Sequence, residues 1–237
     1  MAVTHTRNGG APAASTRLVL PQVTLVAIDG TMTPAATEAS LAQTASLVDF
    51  GSVLFFSPVA PSGDTWRAAW RWVEIPPTSL KGYNQFCLAK LHAYITTSHA
   101  LTIHSDSHIV NASAWDDRWL DYDYIGAPWP PGHSGTEYRV GNSGFCLRSK
   151  RLLEATSPLP NDSYVWRGKL KQSCRDDVIT CVMFRADLER RGLRFAPVDV
   201  AARFAFENPT PEAPALSDQF GVHEYRRRRR APASVTG

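Results

Sequence analysis

Two apolar runs that each close on an acidic residue constrain this 237-residue chain more than anything else in it. Gln22 to Asp29 (QVTLVAID) is one. Ala100-Leu101-Thr102-Ile103, leading straight into His104-Ser105-Asp106-Ser107-His108, is the other. A run this continuous lacks the alternation of a half-wet strand and reads as a buried strand of a parallel sheet. The acid at its end then faces the cleft beyond the strand's carboxyl end, where open α/β sheets bind their ligands.

The segments around these runs alternate between strand and helix patterns. Pro34 suits a first helical turn, and Ala35 to Phe50 carries apolar residues at helical spacing. Val53 to Phe56 reads as a strand, and Trp70 to Ile75 as another, stopped by Pro76-Pro77. Tyr83 to Ile95 reads as a helix with Phe86, Leu88, Leu91 and Ile95 as its buried stripe. This order predicts an α/β fold with a mixed, mainly parallel sheet and helices on both faces. Further on come the acidic Trp115–Trp119 segment, a short run over Tyr122 to Trp129, and a Gly/Pro-rich loop, Pro130 to Arg139, that reads as mobile. Val140 to Arg148 (VGNSGFCLR) predicts a strand opened by a glycine turn. Asp176 to Arg191 predicts an amphipathic helix capped by Gly192, and Leu193 to Pro197 a closing strand. Glu207 to Asp218 reads as a proline-rich loop.

The length suits one α/β domain over 18–225. Residues 1–17, rich in Ala, Gly, Ser and Thr, read as a disordered leader, and 226–237 as a disordered basic tail. The net charge of +3 comes from the tail: without Arg226 to Arg230, twenty basic residues face twenty-two acidic ones. Basicity is therefore not a property of a binding face. No apolar run reaches the roughly 18 residues of a membrane span. Cys87, Cys146, Cys174 and Cys181 form no C-x-x-C pair, so reduced thiols and a cytoplasmic location are expected.

Four constellations could carry chemistry. Asp106-Ser107-His108 offers metal ligands at i and i+2, a spacing that suits a divalent cation (Mn²⁺ or Mg²⁺) holding a diphosphate. Gly141-Asn142-Ser143-Gly144 lets the backbone approach a bulky ligand and supplies hydrogen bonds for sugar hydroxyls, although a tight turn uses the same residues. Asp176-Asp177 opens a helix, where one acid can cap, through Ser173-x-x-Asp176, while the other serves as a general base. Phe220-Gly221-Val222-His223 presents an imidazole suited to Mn²⁺. Trp129, Tyr138, Trp166 and the Trp115/Trp119 pair can stack on rings, but aromatics at such positions more often pack the core.

VTLVAID, YNQFCLAKLHAYITTSHALTIHSD, NASAWDDRWLDYDYIGAPW, VGNSGFCLRSKRLLEA, CRDDVITCVMFRADLERRGLRFAPVDVAARFAFE and FGVHEY stand in this order from Gln22 to His223. Together they resemble a family of short bacterial, viral and fungal proteins (domain of unknown function 5672) classed as GT-A-like glycosyltransferases. YDYIGAPW followed by VGNSGFCLRS is the most specific part. Ser143 and Asp176 stand where the family usually has Gly and Glu. Family members typically carry Asp-Gly-aromatic where this chain has Asp106-Ser107-His108. That triplet is instead similar to the Asp-x-His with which polypeptide N-acetylgalactosaminyltransferases bind Mn²⁺.

The resemblance implies transfer of a sugar from a nucleotide-sugar, expected to be UDP-linked, to an acceptor hydroxyl on a glycan, small molecule or nucleic acid. Asp29 would border the nucleotide. Asp106, with His108 and His223, would hold the cation. Gly141 to Gly144, with Trp129, would line donor and acceptor. Asp177 would be the base of an inverting displacement, with Asp176 the second choice. Three alternatives stay open: a nucleotidyltransferase, a non-catalytic carbohydrate-binding protein, and a transferase acting on hydroxymethylated bases of DNA, to which the arginine tail would add phosphate contacts.

Overall fold

A computed structural model describes residues 17–64, 66–160, 164–166, 169–171 and 175–223. Most of the leader, the basic tail, Ser173, Cys174 and the side chain of Trp166 lie outside the described residues. In chain order the elements are β1 (Leu18–Ile28), α1 (Ala35–Leu47), β2 (Val48–Ser57), β3 (Arg71–Glu74), α2 (Leu80–Ala89), β4 (His99–Ile103), β5 (Ser107–Ile109), β6 (Tyr124–Gly126), β7 (Phe145–Ser149), α3 (Lys150–Thr156), β8 (Tyr164–Trp166), β9 (Lys169–Lys171), α4 (Asp176–Val178), α5 (Arg185–Arg190), α6 (Val198–Phe204), β10 (Ala205–Phe206) and β11 (Gly221–His223).

Six strands build the main sheet in the order β3-β2-β1-β4-β7-β6. The first four run parallel, and β7 lies antiparallel to both β4 and β6. This is the mixed, mainly parallel sheet expected. Residues alternate between two cores, as the pleat requires. Val23, Leu25 and Ala27 of β1 join Val53 and Phe55 of β2 on the face where α1 buries Leu41 and Ala45. Val26, Ile28, Leu54 and Phe56 join Tyr83 and Cys87 of α2 on the other face. Both faces are thus covered by helices, so the strands carry no polar alternation. Leu25 is fully buried on the inner strand β1. Leu25→Ala would cost about 2–5 kcal/mol through lost burial and the cavity left behind.

Several expected boundaries move. The helical pattern of Ala35 to Phe50 stops at Leu47, because Val48, Asp49 and Phe50 pair with Leu18, Val19 and Leu20 at the start of β1. The register slips between Leu20 and Thr24, where Pro21 has no N–H for the ladder. Gly51 faces that point, and a Cβ on it would lie 1.9 Å from the Pro21 carbonyl oxygen. The expected helix to Ile95 leaves α-geometry at Lys90, and a 3₁₀ turn over Leu91–Tyr94 finishes it with Leu91 and Ile95 still buried.

The predicted helix Asp176–Arg191 is broken. A π-helical turn, Ile179–Met183, separates α4 from α5. Val178 to Cys181 are buried four in a row, a wider arc than one face of a straight α-helix covers, and the extra residue per turn accommodates it. Gly192 does cap, at φ 81. Leu193 to Pro197 forms no strand; it makes one parallel bridge, Tyr124 to Phe195, beside β6. The strand expected from Val140 starts only at Phe145, and Val140 bridges Pro128 instead.

A small second sheet has the order β10-β11-β5. β11 runs antiparallel to β5, placing His223 opposite Ser107. Cys87, Cys146 and Cys181 are free and buried. Among the described residues no helix is long and apolar enough to cross a membrane.

Candidate functional site

The turn after β4 is fixed at several points. The His104 N–H and the Ser107 hydroxyl both donate to the Gly144 carbonyl, at 3.0 and 2.5 Å. The Ser107 N–H closes the turn on the His104 carbonyl at 3.2 Å, and the Ser40 hydroxyl of α1 donates to that carbonyl at 2.9 Å. Behind β11 an aromatic cluster sets its depth: Phe220 packs on Phe145, Phe204, Trp115 and Trp119 with ring centroids 5.1–5.9 Å apart. The Trp115/Trp119 pair is therefore core packing. Gly221 lies against this cluster, and a Cβ there would fall 2.1 Å from the Phe145 ring.

These constraints bring three side chains together. His104, Asp106 and His223 offer ligand atoms all within 4.8 Å of one another. His223 Nε2 lies 3.4 Å from Asp106 Oδ1, and His223 Nδ1 lies 3.5 Å from Glu207 Oε1, just past the end of β10. The His104 and His223 rings meet edge to face at 5.5 Å. The Tyr83 hydroxyl of α2 lies 2.7 Å from His104 Nε2 and is also hydrogen-bonded to Cys87.

The electrostatics of the two imidazoles differ. Burial, with the His223 charge beside it, lowers the His104 pKa to about 4, so His104 is neutral. Burial would lower His223 as well, but Asp106 and Glu207 outweigh it and raise its pKa to about 9. Burial pushes the Asp106 pKa up, and His223 more than offsets this, leaving it below the usual carboxylate value. Two imidazoles and a carboxylate form a mixed N/O donor set of the kind that holds first-row divalent ions, Mn²⁺ among them; Mg²⁺ prefers oxygen alone.

His108 does not join this group. It sits in β5 opposite Val222, one residue out of phase with the buried Ser107. His104 takes the place that sequence spacing suggested for it. Asp29 ends β1 and accepts from the Thr31 N–H at 2.8 Å and the Thr37 hydroxyl at 2.6 Å, so its carboxylate anchors the entry to α1.

The glycine loop backs the cluster. A Cβ on Gly144 would lie 2.3 Å from His223 Cε1, so only glycine lets the ring approach. Asn142 holds φ 69 and turns its side chain inward, accepting from the Gly144 N–H at 2.8 Å, while the Tyr124 hydroxyl donates to its carbonyl at 2.9 Å. Trp129 is buried on Gly141, where a Cβ would meet the indole at 2.0 Å; it packs the loop from behind. The Pro130–Arg139 loop is tied down by the buried Ser134, whose hydroxyl is 2.6 Å from the Tyr138 carbonyl, and by the Arg139–Glu212 pair at 2.8 Å. The Arg185 guanidinium lies over Tyr138, its Cζ 4.7 Å from the ring centroid.

Asp176 and Asp177 separate cleanly. Asp176 is fully buried and ion-paired to Arg148 of β7 at 2.5 Å, and its N–H donates to Asn84 of α2 at 3.1 Å. It therefore ties α4 to β7 and α2. Asp177 is nearly as buried but has no cationic partner in hydrogen-bonding reach among the described residues. Burial and the neighbouring Asp176 push its pKa up to about 6, with Glu207 contributing in the same direction. Glu207 and His104 are the site residues that spacing did not single out. Glu207 sits in RFAFEN with no local pattern, and only the pairing of β10 with β11 reveals it.

The family described as protein of unknown function (DUF5672) matches residues 73–223. No curated protein matches the chain. Among solved structures, that of a glycosyltransferase involved in the glycosylation of the major capsid of PBCV-1 is similar at 11% identity and a TM-score of 0.49, covering 85% of this chain and 92% of that one.

Proposed function

The chain belongs to the DUF5672 family, and from its site we propose that it is a metal-assisted glycosyltransferase moving a sugar from a nucleotide-sugar to an acceptor hydroxyl. The observation that carries the reading is the His104, Asp106 and His223 group at the carboxyl end of the inner parallel strand β4. That is the place where an open α/β sheet binds a phosphorylated ligand. The sequence resemblance to GT-A-like transferases supports the same reading. A nucleotidyltransferase would call for two acids on two ions, whereas here one carboxylate joins two imidazoles.

A divalent cation held by these three residues supplies charge stabilisation to the departing diphosphate. The chain's own residues do the rest. In the glycine loop the Trp129 and His223 rings fill the space beside Gly141 and Gly144, which leaves the half-buried Ser143 to contact the donor sugar. Asp177 accepts the acceptor hydroxyl's proton: its pKa near 6 keeps it ionised at pH 7 yet more basic than an ordinary aspartate. A base on the acceptor side fits inversion at the sugar carbon. Arg148 and Asp176 hold α4, and with it Asp177, against β7. The acceptor is a glycan, a small molecule or a hydroxymethylated base, and the protein acts in the cytoplasm. Donor hydrolysis across UDP-, GDP- and ADP-sugars, with Mn²⁺, with Mg²⁺ and in chelator, tests the proposal. Mn²⁺-dependent hydrolysis of one donor class is expected; no hydrolysis and no donor-induced thermal shift for any of them overturns it.

A further inference from the structure

Each ring nitrogen of His223 faces a carboxylate. Asp106 meets Nε2 at 3.4 Å and Glu207 meets Nδ1 at 3.5 Å. The two nitrogens lie on opposite sides of the imidazole, so Glu207 sits behind the ring and Asp106 in front, with His104. We infer that Glu207 is the positioning residue of the cation site: by accepting the Nδ1–H of His223 it fixes the tautomer in which Nε2 faces the cation.

The inference rests on the reading that a cation sits among His104, Asp106 and His223. Three independent features support it. Glu207 is itself largely buried, with its side chain 12% exposed, so it was taken out of water for a partner. Its other oxygen, Oε2, is buried and has no hydrogen-bond partner among the described residues, so the contact to His223 is not a by-product of a larger ion-pair network. And the ring cannot slide away, because Gly144 leaves only van der Waals room at its Cε1 edge. Register completes the arrangement: β10 pairs Phe206 with Val222, which brings the next residue, Glu207, alongside His223. Metal-bound histidines commonly donate their second N–H to a carboxylate, which raises the basicity of the ligand. Loss of such a partner typically weakens metal binding by about 10- to 100-fold.

The test uses the full chain without donor. Binding of Mn²⁺ is followed through loss of the free-ion electron paramagnetic resonance signal for wild type, Asp106→Asn, Glu207→Gln and Glu207→Leu. In Zn²⁺-loaded samples, long-range ¹H–¹⁵N correlation shows which His223 nitrogen carries the proton. Glu207→Gln still accepts an N–H and should weaken Mn²⁺ binding at the low end of that range; Glu207→Leu should reach the high end and lose the single Nδ1–H tautomer. Thermal midpoints of the apo proteins check folding, and Glu207→Gln, the isosteric change, keeps the test valid if Glu207→Leu unfolds. Wild-type affinity and tautomer in Glu207→Gln, alongside lost binding in Asp106→Asn, would overturn the role of Glu207 and leave the cation site standing. Equal binding, or none, in wild type and Asp106→Asn would overturn the cation site and this inference with it.

Discussion

The two ends of β4 treat buried acids in opposite ways. At its start, beside His99, Asp123 is saturated: it accepts from Ser149 Oγ at 2.5 Å, from Arg151 Nη2 at 2.6 Å and from the Arg194 N–H at 2.7 Å. It joins β7, α3 and the segment after α5 into one structural joint. A cavity of about 440 Å³ lies here, lined by His99, Asp123 and Arg151 among others. At the far end, Asp106, Asp177 and Glu207 are buried or half-buried, none is paired with an arginine or lysine among the described residues, and Glu207 keeps an oxygen with no hydrogen-bond partner among them. A saturated carboxylate has its free energy invested in the fold. An acid left short of donors is costly to bury and is held ready for something the protein does not itself supply. This cavity is therefore an unpromising site, since its acid is already fully engaged.

Substitutions at the two ends should separate activity from stability. Asp106→Ala should have the largest effect: loss of several kcal/mol of charge stabilisation lowers donor hydrolysis by about three orders of magnitude or more, with the thermal midpoint nearly unchanged. A variant that keeps near-wild-type turnover would remove Asp106 from the site. Asp177→Asn should cut kcat by about 10²–10⁴-fold with donor affinity preserved. Wild-type turnover should rise as pH passes through about 6, where Asp177 ionises, and this limb should vanish in the variant.

The same residue predicts a stability change of opposite sense. The folded-state pKa of Asp177 is raised from 3.8 to about 6, so ionising it opposes folding increasingly from pH 4 to 6 and fully above 6. Asp177→Asn should accordingly raise the thermal midpoint at pH 8 and leave it unchanged near pH 4. An unchanged midpoint at pH 8 would show that the carboxylate is better solvated than its burial indicates. Gly144→Ala should push the His223 ring aside and weaken Mn²⁺ binding, read by the same resonance signal, more than it lowers the thermal midpoint. Asp123→Asn should do the reverse, lowering stability by about 1–3 kcal/mol in urea titration while kcat stays at the wild-type value. A fall in kcat there would join the two ends of β4 into one functional unit.

Much of the fold could be read from local pattern. β1 and β4 announce themselves because strands covered on both faces cannot alternate, and Gly192 because a left-handed cap needs glycine. Asp106 and His223 were legible as residues of the right chemistry at a strand end and near a closing loop. His104 was visible, but its role depends on Tyr83, twenty-one residues earlier on α2. Glu207 had no signal, since its partner lies across a strand pair formed by residues far apart in the chain. The π-helical turn was hidden because its apolar residues, Ile179, Val182 and Met183, follow ordinary amphipathic spacing, while the residues it buries, Ile179 to Cys181, include Thr180 and leave Met183 exposed. The pairing of Asp176 with Arg148 was equally invisible: two adjacent aspartates look equivalent until a strand 28 residues away supplies a guanidinium to one of them.

The small sheet formed by β10, β11 and β5 also has a consequence for the order of events during synthesis. His104 and Asp106 leave the ribosome well over a hundred residues before His223, and no shorter product contains the third ligand. Whatever part of the main sheet assembles on the emerging chain, it does so without a cation clamp. Under the proposed function, the nascent protein would be kept from loading metal and donor until the strand that completes the site has been made.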